Sequence, residues 1–258
     1  MLIVPLLLGQ LLAPAWHWRA LLLLVAAFGF FLARYPLATL VKLRKRPKAD
    51  KRYLWRWAAI YGGVAAVTGL WLVLVEGLGW LIAMGLLGSL LLGFHLWLVS
   101  RRKEMSIMGE LAGIFGLAMG APMAYYTAGG PLDRTAFILW LINALYFGGT
   151  VFYIKLKVRH QPRLSAPARF SRRLLEAKAC LAYQTVALTL IILLATWQWA
   201  PLLTPLALIP ATFKIILGAW RWQDKKSLSL VRLGVAEIFH ALAFAGLLVL
   251  AFNSGQLL

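Results

Sequence analysis

Apolar runs about twenty positions long fill this chain, broken only by short charged or turn-forming segments. A run of that length crosses the roughly 30 Å hydrocarbon core of a bilayer as an α-helix rising 1.5 Å per residue. The runs predict nine helices, over residues 1–15, 19–34, 57–76, 79–99, 107–127, 135–154, 180–200, 202–220 and 233–252. The apolar positions are continuous rather than alternating, so membrane strands, which need a period of two, are not expected. The first run is short: it reaches Trp16 only when everything from Met1 is counted. It has no basic segment before it and no small-residue cleavage pattern after it, so it reads as a span rather than a signal peptide.

The charged positions orient these runs. Of the 27 Lys and Arg residues, all but Arg19, Arg134 and Lys214 fall in four stretches, 34–56, 101–103, 155–178 and 221–232. Basic residues flanking apolar spans stay on the cytoplasmic side. That rule gives inner connections of about 35–56, 100–106, 155–178 and 221–232, an inner amino terminus and an outer carboxyl terminus. Nine crossings satisfy the alternation, whereas eight or ten do not. The outer connections are then short and almost uncharged, around Pro14 to Arg19, Glu76 to Gly79, Thr127 to Thr135 and Pro201 to Pro205. Trp16, Trp18, Trp55, Trp57, Trp80, Trp97, Trp197, Trp199, Trp220 and Trp222 stand near run ends, as an interfacial aromatic belt requires. The chain is expected to be one transmembrane helical domain, 1–258, in a membrane whose inner face is cytoplasmic.

Two long inner connections divide the runs into similar portions, without enough internal likeness to make a repeat. In the second, Ser165 to Lys178 can form an amphipathic helix with Phe170, Leu174 and Leu175 on one side, lying in the lipid interface. A solvated basic loop is the alternative.

Composition agrees with this picture. The 258 residues are 62% hydrophobic, well above the roughly 45–50% of soluble domains, and mean hydropathy is +0.79. A net charge of +19 would point to nucleic acid in a soluble chain. Here its placement points to anionic lipid headgroups instead, with no nucleic acid partner. Cys180 is the only cysteine and is expected to pack without forming a disulfide within the chain.

Ionisable residues inside a span cost about 2.5–3.5 kcal/mol at the helix centre, which makes each a candidate for function. They are His95, Glu110, Lys214, Glu237 and His240, with Asn143 and Gln184 as neutral polar groups. Counting from the nearest basic residue at about 1.5 Å per position, all five ionisable groups lie in the inner half of the bilayer, and Asn143 lies deeper. Five such groups on four helices at one depth fit a polar cavity open to the cytoplasm. A structural charge network is the competing reading, since two carboxylates face one ammonium and two imidazoles. Lys214 can also snorkel to the surface, and Glu110 can serve as a first-turn acid favouring its helix N-terminus.

Glu237 and His240 have the Glu-x-x-His spacing of di-iron bundles, but such sites need a second copy and two more glutamates. A hydrogen-bonded pair is the simpler expectation. His95 or His240 is able in principle to ligate haem, though nothing marks either for it. No Walker, Rossmann, paired-cysteine or zincin motif is present. Ser106, Ser227 and Ser229 have no recognisable triad around them, and eight acidic residues exclude an Asp-rich metal site. No metal and no cofactor are expected.

Three stretches carry a family resemblance: Met1 to Gly9, reading MLIVPLLLG; GELAG at 109–113 with GAPMAYY at 120–126; and RLGVAEIFH at 232–240. They resemble the YwiC-like family of bacterial membrane proteins, a group without an established activity. Family members commonly carry a short His-Gly-Ala-Trp-type segment ahead of the equivalent of Met1, which is absent here. The departure from the family pattern leads to the expectation that Met1 is an internal methionine taken as the start, or that the chain has been trimmed ahead of it.

The stretch from Ser100 to Glu110, followed by Gly116 and Gly120, is similar to the fourth-to-fifth helix region of UbiA-type prenyltransferases. That likeness implies a nine-helix bundle with a cavity reached from the cytoplasm. It does not carry the reaction, because those enzymes bind Mg²⁺-diphosphate through Asp-rich motifs. The second such position here reads YIKLKVR, 153–159. Lys155 and Arg159 could hold an anionic headgroup directly there, or simply flank the span.

The expected function is binding of an isoprenoid, quinone or related amphipathic lipid. His95, Glu110, Asn143, Lys155, Arg159, Lys214, Glu237 and His240 are the candidate binding residues. Glu110, Glu237 and His240 are candidates for acid or base chemistry, the imidazole titrating near neutrality. The alternatives are a small transporter or channel, or an assembly subunit of a larger membrane complex. Whether the chain catalyses a reaction, and which proteins it meets, are left open by the sequence.

Overall fold

The computed structural model describes residues 2–45, 50–164, 166–222 and 229–255. Met1, Ser227, and Ser165 at the expected start of the amphipathic segment lie outside them. Among the described residues the secondary structure is all helical, and the chain forms two compact units, Met1–Trp140 and Leu141–Leu258. Seven helical stretches are long and apolar enough to cross a membrane: Arg19–Lys42, Arg52–Leu74, Trp80–Ser100, Ile107–Thr127, Arg134–Arg163, Lys178–Thr196 and Leu230–Gly255. The protein is a multi-pass membrane protein.

The first unit contains α1 (Ile3–Leu11), α2 (Arg19–Lys42), α3 (Arg52–Leu74), α4 (Trp80–Ser100), α5 (Ile107–Ala118), α6 (Gly120–Thr127) and the start of α7 (Arg134–Lys155). The end of α2 and the start of α3 move by several residues from their expected places. α2 runs through Pro36 to Lys42 instead of ending at residue 34, because Leu37, Ala38, Leu40 and Val41 keep the apolar pattern going. A proline inside a membrane helix loses one bond but need not stop it. α3 starts at Arg52 rather than 57, where the Asp50 carboxylate accepts the Arg52 N–H at 2.9 Å. α5 opens on a Ser106 cap whose hydroxyl accepts the Gly109 N–H at 3.2 Å. The step at Met119 between α5 and α6 precedes Pro122, which has no N–H to continue the ladder.

α6 closes on a Schellman turn. Gly129 takes φ +88°, while the Gly130 and Gly129 amides donate to Tyr125 and Tyr126 carbonyls at 3.0 and 3.1 Å. α1 packs along α6, and α2 along α3. Leu6, Leu23, Leu72, Leu78, Leu81 and Ala124 form a buried cluster at one end of this unit. There Arg19 Nε donates to Glu76 at 2.6 Å, tying the start of α2 to the connection after α3.

The second unit contains the rest of α7, α8 (Phe170–Glu176), α9 (Lys178–Thr196), α10 (Ile209–Trp220) and α11 (Leu230–Gly255). α7 continues into a π turn at Leu156–His160 and a 3-10 turn at Gln161–Arg163. Tyr153, Leu156, Ala177, Cys180, Ile215 and Ala219 make a buried cluster, and the thiol of Cys180 packs within it. The basic stretch before α9 does contain a helix, α8, with Phe170 and Leu175 exposed. Its seven residues are about half the expected segment.

Two of the nine expected helices fall well short of the predicted length. α1 has nine residues, about 13 Å of helix. The eighth run is a 3-10 segment, Thr204–Leu208, leading into α10. Pro205 and Pro210 stand at the first turns of these two pieces, where a missing N–H costs least.

Candidate functional site

α2, α3, α4 and α5 of the first unit surround a cavity of about 780 Å³, within the 300–1,000 Å³ usual for small-molecule sites. Small residues make the space. Ala58, Gly62, Ala65, Ala66 and Gly69 line it from one face of α3, Gly85 and Gly88 from α4, and Gly113 and Gly116 from α5. A Cβ added at Gly62, Gly69, Gly85 or Gly88 would meet no atom within 4 Å. Phe30, Phe31, Leu37 and Leu92 supply larger apolar walls. Between Leu23 and Arg34 the cavity follows α2 over eleven positions, about 16 Å.

Two polar groups stand at the end of this cavity where α2 and α4 finish. Arg34 Nη2 lies 3.1 Å from His95 Nε2, and both residues line the space. A guanidinium has only donors, so the imidazole accepts at Nε2 and is neutral with its proton on Nδ1. This bond fixes the tautomer. The Lys42–Glu104 ion pair, 2.9 Å, lies on the same side, within electrostatic reach of the His95 ring. The Lys42 hydrogen bond and the Glu104 backbone N–H hold the Glu104 carboxyl below the usual carboxylate range. Glu110 occupies the first turn of α5, as its helix-stabilising reading expects, beside the cavity-lining Ala112 and Gly113.

In the second unit Lys214 on α10 donates to both carboxylate oxygens of Glu237 on α11, each at 2.9 Å. Its ammonium also sits 4.8 Å from the centre of the Tyr153 ring. Lys214 is 6% exposed and does not snorkel to the surface. The expected Glu237–His240 hydrogen bond is not what forms: Glu237 turns to Lys214, and His240 Nδ1 donates back to the Ala236 carbonyl at 2.7 Å. A carboxylate gains more from an ammonium than from an imidazole when both can reach it.

Asn143 is fully buried on α7. Lys155 closes α7 and Arg159 lies in the π turn that follows. That turn brings in Lys157, buried at 6% exposure, which donates to Gln161 Oε1 at 3.0 Å and to the Arg221 carbonyl at 2.6 Å. Gln161 Nε2 in turn donates to the Gly218 carbonyl at 3.0 Å. These bonds satisfy carbonyls at the end of α10 that the helix leaves open. Arg173 does the same for Trp220 at 2.9 Å. Among the described residues, no three of His, Cys, Asp and Glu gather as a metal-binding group.

Arg34 and the small face of α3 were not among the candidate residues. Arg34 reads as the first residue of a basic connection because Tyr35-Pro36 looks like a helix end. The signal that places it inside is the apolar run beyond Pro36. The α3 face was legible as a helical spacing of Ala and Gly at 58, 62, 65, 66 and 69. Lys157 stands within a basic stretch and carries no such signal.

The model of a family described as YwiC-like protein matches residues 1–125. The chain is 29% identical over 161 residues to "Uncharacterized protein YwiC" of Bacillus subtilis, covering 62% of this chain and 64% of that protein. It is 26% identical over 168 residues to an "Uncharacterized protein" of Haemophilus influenzae, covering 63% of this chain and 66% of that protein. The matched region thus spans just under two thirds of each of these relatives. No solved structure matches the chain. Residues 1–125, which match the YwiC-like model, hold α1 to α5, most of α6 and every residue that lines the cavity.

Proposed function

We propose that the protein binds an amphipathic lipid of isoprenoid or quinone type in the cavity of its first unit. The observation that carries this reading is a long apolar space with one polar end. An occupant with an apolar tail and a compact polar head matches both parts. His95 is the candidate residue from the expected set that lines this space, and Arg34 joins it. In this reading Lys214 and Glu237 neutralise each other and serve the packing of the second unit.

We place the polar end at the cytoplasmic side of a bacterial inner membrane, because the basic stretches around Lys51 to Arg56 and Arg101 to Lys103 flank it. The same rule supports the nine-crossing, UbiA-like topology with the amino terminus inside. It requires Thr204–Trp220 to cross, since otherwise Arg221 and Arg232 would lie outside. Five residues in 3-10 geometry and twelve in α geometry extend about 28 Å, close to the bilayer core. α1 and the chain to Trp18 complete the ninth passage.

Native mass spectrometry of the purified protein, with extraction and identification of retained lipid, tests the binding. A stoichiometric isoprenoid or quinone is expected on the wild type and should be lost from Gly88→Phe, which puts bulk into the cavity at a position where an added Cβ meets no atom within 4 Å. Retention of no lipid by the wild type, or equal retention by Gly88→Phe, would defeat the proposal.

A further inference from the structure

Resting on that cavity reading, we infer that the occupant carries an anionic head, a carboxylate or phosphate, and that Arg34 holds it. The cavity wall is apolar along α2, α3, α4 and α5 apart from Ser89, Arg34 and His95. Ser89 turns its hydroxyl back to the Gly85 carbonyl at 2.8 Å, which leaves the Arg34–His95 end as the recognition element. His95 accepts one guanidinium N–H at 3.1 Å, but a neutral imidazole does not cancel the charge.

The acidic residues of this unit are engaged elsewhere. Glu76 pairs with Arg19 at 2.6 Å and Glu104 with Lys42 at 2.9 Å. Asp50 accepts the Arg52 amide and Asp133 accepts the Thr135 and Ala136 amides. Glu110 has a partner of its own. Among the described residues, Arg34 has no carboxylate counter-ion within ion-pairing distance.

A guanidinium inside a membrane helix is costly unless it is paired. Its remaining N–H donors form a planar fork that matches a carboxylate or phosphate in two-point contact, which a neutral quinone oxygen cannot use as well. Gly113 of α5 lies beside it on the cavity wall, where an added Cβ would stand 3.9 Å from Arg34 Nη1, in ordinary contact. His95, bonded through Nε2 to Nη2, anchors one edge of the guanidinium and is a positioning residue. The apolar length between Arg34 and Leu23 then takes the tail.

Thermal unfolding in neutral detergent, followed with dodecyl phosphate, dodecanoate, dodecanol, a decyl-substituted quinone and inorganic phosphate, separates the alternatives. The two anionic amphiphiles are expected to raise the midpoint saturably, while dodecanol and inorganic phosphate leave it unmoved. Arg34→Gln should weaken the anionic amphiphiles by roughly tenfold or more, and Arg34→Lys should restore part of that as a point charge without the fork. Gly88→Phe should abolish the response.

Equal shifts from dodecanol, or from the quinone, that survive Arg34→Gln would overturn the anionic head and leave the cavity reading standing. A response to inorganic phosphate as strong as to dodecyl phosphate would overturn the lipid form of the ligand. If no amphiphile shifts the wild type and Gly88→Phe unfolds identically, the cavity reading itself fails. Should Arg34→Gln not fold, Arg34→Lys with the full ligand series decides: a weakened but retained preference for dodecyl phosphate over dodecanol keeps the inference, and a preference equal to the wild type's, or none in the wild type itself, removes it.

Discussion

At the scale of single residues, the first unit leaves a charge available while the second unit cancels one. Lys214 is held by Glu237 through two bonds and by the Tyr153 ring, so its charge is neutralised where it arises. Removing one partner of a buried pair leaves the other uncompensated and costs about 3–5 kcal/mol, whereas replacing both by apolar groups is often close to neutral. Lys214→Met is therefore expected to lower stability by that amount, and the double substitution Lys214→Met with Glu237→Leu to recover most of it. Unfolding in mixed micelles measures the cycle, and additive losses would show that the pair is not a unit. Arg34 differs in kind, since His95 orients it without neutralising it.

At the scale of elements, glycine does two opposite jobs on neighbouring helices. At Gly29 on α2 an added Cβ would stand 2.8 Å from the Tyr61 carbonyl and 3.1 Å from the Ala65 amide of α3. Such close backbone approach is the way membrane helices gain packing when lipid is as apolar as their side chains. At Gly62, directly after Tyr61 on α3, the same atom would meet open space. Gly29→Ala is accordingly expected to cost about 1–3 kcal/mol by overpacking. Gly62→Ala should be neutral or stabilising by up to about 1 kcal/mol from helix propensity alone. The two variants compared in the same detergent check this, and equal destabilisation would contradict the packing account. Proline also reads differently by context: Pro36 passes inside α2, while Pro205 and Pro210 mark first turns, where the lost donor was already unpaired.

At the scale of the whole molecule, seven stretches suffice in length and the charge distribution asks for Thr204–Trp220 as a further crossing. The single cysteine makes this testable. In a Cys180→Ser background, Ser229→Cys should be labelled by an impermeant thiol reagent only from the cytoplasmic side, and Ser254→Cys only from the opposite side. Ser229→Cys labelled from outside would mean that Thr204–Trp220 does not cross, and the proposed topology would fall.

Helix class and the seven long apolar stretches follow from the sequence by itself, because bilayer thickness and backbone satisfaction leave a long apolar run little choice of structure. The ionisable candidates were legible one by one, since an ionisable residue in an apolar run stands out whatever it touches. Their partners were not. Glu237 is three positions from His240 yet bonds Lys214, 23 positions away, and Arg34 belongs to the cavity only because α2 continues past Pro36. The void between α2, α3, α4 and α5 was likewise decided by the tertiary structure. Small residues on one helix become a cavity only when the facing helices fail to fill the space, and that depends on distances between elements which no single run encodes.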